Sequence, residues 1–218
     1  MNHIRNIFIL GFGNNKLYTK YLLKRFPGDE FIFINEYEKL SNIINKHTSC
    51  NIIAFSIGVI WFLEKLDTIL ELSHKIKQII FIGTPYKKPF WGSRIILKIF
   101  IHLPTFLRRM IYTYFNTKVP ECVLQEVLTY PSKNFILLHH LLFEVKVLSK
   151  LNELRKNKFA IELIVGENDE YLKYSTSLST CFDNIKLHTI EGDHHLILNQ
   201  SNYLCLKLEK MLNIINDC

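Results

Sequence analysis

Short apolar runs alternate with amphipathic stretches along most of the chain. Ile4–Leu10, Phe31–Ile34, Ile52–Phe55, Gln78–Ile82, Ala160–Val165 and Ile185–Ile190 are rich in β-branched and aromatic residues. Their length and composition predict strands. Between them, Leu17–Arg25, Tyr37–Lys46, Ile57–Leu72, Tyr171–Cys181 and Gln200–Ile215 place apolar residues at helical spacing. Strand and helix alternation predicts an α/β fold with a mainly parallel sheet of about six strands and helices on both faces.

One interval departs from this rhythm. From Gly83 to Phe159 the pattern is helical with no clear strand, and it opens on Gly83-Thr-Pro85-Tyr-Lys-Lys-Pro89-Phe-Trp91-Gly92, a loop sequence. Ser93–Leu103, Thr105–Phe115, Glu121–Leu128 and Asn134–Asn157 read as helices separated by Pro104, Pro120 and Pro131. The expected organisation is a core of residues 1–83 and 151–218 with a helical lid at 84–150. Such an insertion would stand over the C-terminal ends of the strands, where ligands bind in open parallel sheets.

Chemistry enters at Asn51-Ile-Ile-Ala54-Phe-Ser56-Ile-Gly58-Val-Ile-Trp61, where an apolar strand ends in a serine and a helix follows at once. A sharp strand-to-helix turn exposes such a hydroxyl, and the next backbone N–H groups lie at a helix N-terminus suited to an oxyanion. The common nucleophile pattern is Gly-x-Ser-x-Gly, and its first glycine is Ala54 here. Many serines in this setting only cap a helix.

A nucleophilic serine also needs a base and an orienting carboxylate. Asp169, in Gly166-Glu-Asn-Asp-Glu, follows the fifth expected strand; His194 and His195, in Gly192-Asp-His-His, follow the sixth. Taken singly, Asp169 reads as a turn or cap carboxylate and His194 as a loop histidine. Together they stand in the serine, acid, histidine order this kind of sheet requires, with either histidine eligible as the base. The loop Leu10-Gly11-Phe12-Gly13-Asn14 would supply the Phe12 N–H as a second oxyanion donor beside Ile57 N–H. Residue 16 is Lys, so the third glycine of a dinucleotide fingerprint is missing. No metal-ligand cluster is spaced for binding, and the expected chemistry needs no cofactor.

Charge sharpens the picture of the insertion. Residues 87–158 hold thirteen Lys/Arg against four Asp/Glu, whereas the rest of the chain holds fourteen against sixteen. The excess positive charge is therefore local. Lys87, Lys88, Arg94, Lys98, Arg108 and Arg109 alternate with Phe90, Trp91, Ile95, Ile96, Phe100 and Phe106. Such a surface fits an anionic carrier or an anionic membrane. Nucleic acid is not expected, since no binding motif is present. Five scattered cysteines without a CxxC pair fit a reducing, cytoplasmic setting. No run of about 20 apolar residues predicts a membrane span.

Across nearly its whole length the chain resembles the α/β-hydrolase superfamily, through Leu10-Gly-Phe-Gly-Asn14, Ala54-Phe-Ser-Ile-Gly58, Gly166-Glu-Asn-Asp169 and Gly192-Asp-His194-His195. By motif position the resemblance assigns nucleophile, acid and base to Ser56, Asp169 and His194. The histidine usual before the oxyanion-loop glycine is replaced by Leu10, and the chain opens at the superfamily's third strand. Within the superfamily, Gly11-Phe12-Gly13 and the basic insertion resemble the pimeloyl-acyl-carrier-protein methyl ester esterases of biotin synthesis. That resemblance implies an ester substrate on an acyl-carrier protein, with Lys87, Lys88, Trp91, Arg94, Lys98, Arg108 and Arg109 facing carrier or substrate.

Overall fold

The structure is a computed structural model that describes residues 4–11, 19–84, 95, 98–99, 102–104, 106–108, 110 and 132–213. Its strands are β1 (Arg5–Ile9), β2 (Glu30–Ile32), β3 (Cys50–Phe55), β4 (Ile76–Ile82), β5 (Ile161–Gly166) and β6 (Ile185–Ile190). They form one sheet in the order β2-β1-β3-β4-β5-β6, and every neighbouring pair is parallel. All six expected strands are present, with ends that move by a residue or two.

Alternation along the strands divides the core into two layers. Phe8, Ile53, Phe55, Ile80 and Ile164 point to one face, where Leu22 of α1 (Lys20–Arg25), Leu196 of α8 (Leu196–Asn199) and Leu204 and Leu208 of α9 (Ser201–Asn213) cover them. Ile7, Ile52, Ala54, Ile79, Phe81 and Leu163 point to the other. There they meet α2 (Leu40–Lys46), α3 (Ile57–Glu64), α4 (Leu66–Leu70), α5 (Ser132–Phe143), α6 (Val147–Lys156) and α7 (Leu172–Cys181). Every residue of β3 is buried, which explains its unbroken apolar sequence.

Two single-helix expectations are corrected. Ile57–Leu72 divides into α3 and α4 at Lys65, and Asn134–Asn157 divides into α5 and α6 at residues 144–146. Neither break carries Gly or Pro. Leu63, Leu66 and Val145 are buried, so the apolar pattern runs on through both bends. The stretch expected as Tyr37–Lys46 begins as a 3-10 turn at Ile34–Lys39 that leads into α2. Most of the helices expected between residues 93 and 128 lie outside the described residues. At the end of the expected insertion and just beyond it, α5 and α6 pack on α3, with Phe135, Leu141, Leu151 and Leu154 buried.

Strand order reverses between β1 and β3, since β2 lies outward of β1 while β4 to β6 extend the other way. Loops leaving the C-terminal ends of such neighbours diverge and leave a crevice. The serine follows β3 at this point.

Candidate active site

The turn after β3 is tightly determined. Ser56 has φ 48° and ψ −122°, a conformation rare for a residue with a side chain. Holding it there costs on the order of 1–3 kcal/mol, which the surrounding packing offsets. Ser56 N–H donates to the Ile82 carbonyl at 2.7 Å, fastening the turn to β4. All of Ile57 to Leu63 is buried, so α3 is held along its first two turns. Gly58 permits this approach: a Cβ there would lie 2.7 Å from the Ile9 carbonyl oxygen. Ala54, the departure from the usual pattern, is fully buried between Ile9 and Phe81, and its methyl fits the sheet.

Asp169 and His194 arrive on loops that are themselves joined. Glu167 N–H donates to Ile190 O and Asn168 N–H to Gly192 O, each at 2.9 Å. The Asp169 side chain has no solvent exposure. Its Oδ1 accepts the Tyr171 N–H at 2.9 Å, and its Oδ2 lies 3.1 Å from His194 Nδ1. His194 Nε2 lies 2.9 Å from Ser56 Oγ.

The direction of these bonds follows from the groups. A carboxylate only accepts, so Nδ1 carries the proton and Nε2 is left as the acceptor for the serine hydroxyl. The structure thus joins Ser56, His194 and Asp169 in one hydrogen-bonded line. Of the two candidate histidines, His194 is the one that links Ser56 to Asp169. His195 stands to the side, its ring centre 5.8 Å from that of His194, with its backbone N–H on Asp193 Oδ1. Burial, helped by the neighbouring His194, moves the His195 imidazole below its ordinary value.

Two contributors were not singled out in the sequence. Gly83, at φ 55°, leaves β4 directly beside the line; a Cβ on it would lie 3.3 Å from His194 Nδ1 and 3.6 Å from Asp169 Oδ2. Its N–H donates to Ile164 O at 2.9 Å, joining β4 to β5 at the level of the site. The sequence marked it only as a loop glycine. Tyr171 bonds Asp169 through its backbone and sets its ring edge-on to His194 at 5.2 Å. Burial, with the nearby Glu170 and Asp169, keeps its phenol protonated well above the usual range. An aromatic two residues beyond the acid was its only signal.

Of the two oxyanion donors expected from the sequence, Ile57 is the first residue of α3, where the opening N–H groups have no partner within the helix. Phe12 lies outside the described residues. The buried Tyr37 hydroxyl donates to the Leu10 carbonyl at the root of that loop. Among the residues expected in a lid, Lys87, Lys88, Trp91, Arg94 and Arg109 also lie outside the described residues. Lys98 is exposed. Arg108 departs from the expected outward cation: it is 8% exposed, its Nε donates to Leu103 O at 2.8 Å, and its guanidinium lies 5.1 Å from the Phe135 ring centre. A planar guanidinium stacks on an aromatic face more readily than it is hydrated there. Among the described residues, no group of three His, Cys, Asp or Glu is placed to hold a metal, and no helix is long and apolar enough to cross a membrane.

No protein-family model and no curated protein sequence matches the chain. Solved structures do match. A carboxylesterase structure from the ammonia-oxidizing thaumarchaeon Nitrososphaera gargenis is 14% identical over 98% of this chain and 91% of its own, with TM-score 0.71. A thermophilic esterase from Thermogutta terrifontis is 10% identical over 98% and 91%, with TM-score 0.75. An α/β-hydrolase enzyme from a Medee basin deep-sea metagenome library is 14% identical over 98% and 90%, with TM-score 0.68. Six parallel strands, helices on both faces and these overlaps over nearly the whole length give the chain the α/β-hydrolase fold.

Proposed function

We propose that the chain hydrolyses carboxylic esters with Ser56 as nucleophile. The observation that carries this reading is the line from Ser56 Oγ through both ring nitrogens of His194 to the buried Asp169. His194 Nε2 takes the hydroxyl proton as Oγ attacks the ester carbonyl, and Asp169 stabilises the resulting imidazolium. The Ile57 amide, with Phe12 as its expected companion, faces the developing oxyanion. His194 then protonates the departing alcohol, and water releases the acid by the same route in reverse. A non-catalytic binding module would have no need for a serine held at φ 48° against such a base.

For the substrate, the methyl ester of pimeloyl-acyl-carrier protein is the reading supported by Gly11-Phe12-Gly13 and by the basic, aromatic-rich insertion. An acidic carrier would be drawn by that charge and the attraction would weaken with salt. The free thiols of Cys50, Cys181 and Cys205 accord with a cytoplasmic setting for this reaction. One observation favours a second substrate class: Ile95, Ile99, Phe106 and Met110 of the insertion are exposed apolar side chains. Such a surface also suits a lipid ester at an anionic membrane.

Turnover of p-nitrophenyl butyrate, the carrier-bound methyl ester and an anionic lysophospholipid separates these readings. Loss of all activity in Ser56→Ala supports the serine mechanism, and retention overturns it. For the carrier reading, Lys98→Glu should lower kcat/KM on the carrier substrate and spare the small ester. A preference for the lysophospholipid would replace the carrier with the lipid.

A further inference from the structure

The face of the molecule formed by α1 and α9 carries a groove of about 520 Å³, lined by Tyr21, Lys24 and Arg25 from α1 and Asn202, Cys205 and Leu206 from α9. Each helix contributes residues at positions i, i+3 and i+4, so the groove runs between two aligned ridges of side chains. Leu22, Phe26, Leu204 and Leu208 are buried beneath it in the core. The Arg25 guanidinium reaches across to Glu209, with Nη2 on Oε2 at 2.7 Å, and fixes the spacing of the two helices. The groove is therefore formed before anything binds, which lowers the cost of ordering it.

Its walls are apolar in contact and cationic in field. Of the lining side chains, Tyr21 and Leu206 are 46% and 55% exposed, well above what a folded chain leaves of such side chains in its core. Lys20, Lys24, Arg25, Lys207 and Lys210 stand on the same two helices, and Glu209 is their one carboxylate. Lysine-rich composition does not account for this. Outside residues 87–158 the chain holds fourteen Lys/Arg and sixteen Asp/Glu, yet α1 and α9 take five of those cations and one of those acids.

We propose that this groove docks an amphipathic helix of a partner protein, with an apolar stripe flanked by Glu or Asp. A helix ridge of Leu or Ile side chains would enter between Tyr21 and Leu206, and its flanking carboxylates would meet Lys20, Lys24 and Lys210. Concavity selects a helix over a flat lipid surface, and the sign of the flanking charge selects an acidic one. The site uses none of the residues of the Ser56, His194, Asp169 line, so it does not depend on the hydrolase reading.

Fluorescence anisotropy on the full chain tests this with three probes. They are a synthetic helix with a leucine stripe and glutamate flanks, the same helix with lysine flanks, and vesicles of phosphatidylglycerol in phosphatidylcholine. The glutamate helix should bind and weaken with added salt. Leu206→Glu and Lys24→Glu should each weaken it at least tenfold. Leu148→Glu, at an exposed apolar position on α6, should leave it unchanged. Both groove substitutions are at exposed positions, and unchanged circular dichroism would show that they fold. Equal binding of the two helices, or no effect of either groove substitution, would overturn the proposal. Binding to anionic vesicles with none to the glutamate helix would also overturn it, in favour of a membrane contact.

Discussion

Two carboxylates anchor hydrogen-bond networks at opposite ends of the same sheet. At the N-terminal ends of β1 and β3, Asp29 accepts the Asn6 N–H at 3.0 Å and the Asn6 side-chain amide at 2.8 Å, and Asn51 Nδ2 donates to Asn6 Oδ1 at 2.9 Å. At the C-terminal ends, Asp169 accepts Tyr171 N–H and His194 Nδ1, and the line runs on to Ser56. Both networks satisfy a buried or half-buried acid. The first is built from amides, which can neither take nor give a proton at neutral pH, so it can only hold strands in register. The second contains an imidazole and ends in a hydroxyl on a strained turn at the rim of the sheet. Position at a strand's C-terminal end and one titratable link separate a network that can pass a proton from one that can only hold strands.

Breaking the reactive network should cost activity and little stability, and breaking the amide network should do the reverse. Ser56→Ala removes the proposed nucleophile and should lower p-nitrophenyl butyrate turnover by about a thousandfold or more. Asp169→Asn should cost about a thousandfold, since an amide no longer fixes the Nδ1–H tautomer, while Asp29→Asn should stay within about threefold of the parent. Gly83→Ala would bring a methyl to 3.3 Å from His194 Nδ1 at a backbone φ of 55°. We expect roughly a ten- to hundredfold fall in kcat, with a loss of about 1 kcal/mol in urea melts.

Asp29→Ala should lower unfolding free energy by about 1–3 kcal/mol with kcat unchanged, because it leaves the Asn6 donors without their acceptor. The smallest effect concerns His195. Its imidazole is held below the ordinary value of 6.5, chiefly by burial. The stability contributed by its neutral form is therefore complete above about pH 6.5 and is lost as pH falls below it. His195→Gln should flatten the decline of stability on acidification, measured by urea melts between about pH 7 and pH 5.

The sheet was legible in the sequence because each strand is an apolar run bounded by polar or turn residues, and all six appear where that pattern placed them. The order of Ser56, Asp169 and His194 was legible for a related reason: each directly follows a strand. What escaped was set by contacts across the fold. The breaks at Lys65 and at residues 144–146 carry no breaker residue, and buried Leu66 and Val145 keep the apolar rhythm going. Arg108 carries a charge that predicts exposure, yet it is buried with its Nε on Leu103 O and its guanidinium over Phe135, 27 residues away. Gly83 reads as a loop glycine until His194 is seen packed beside it. Motif position favoured His194 over its neighbour His195 without excluding it, and hydrogen-bond geometry joins His194 to both Ser56 and Asp169.

The central claim is that His194 and Asp169 activate Ser56, and reaction of the purified protein with a fluorophosphonate, followed by peptide mass mapping, tests it most directly. The account predicts a covalent adduct on Ser56, none in Ser56→Ala, and labelling slowed by at least about a hundredfold in His194→Ala. An adduct on another residue, or a His194→Ala protein that labels at the parent rate, would contradict it.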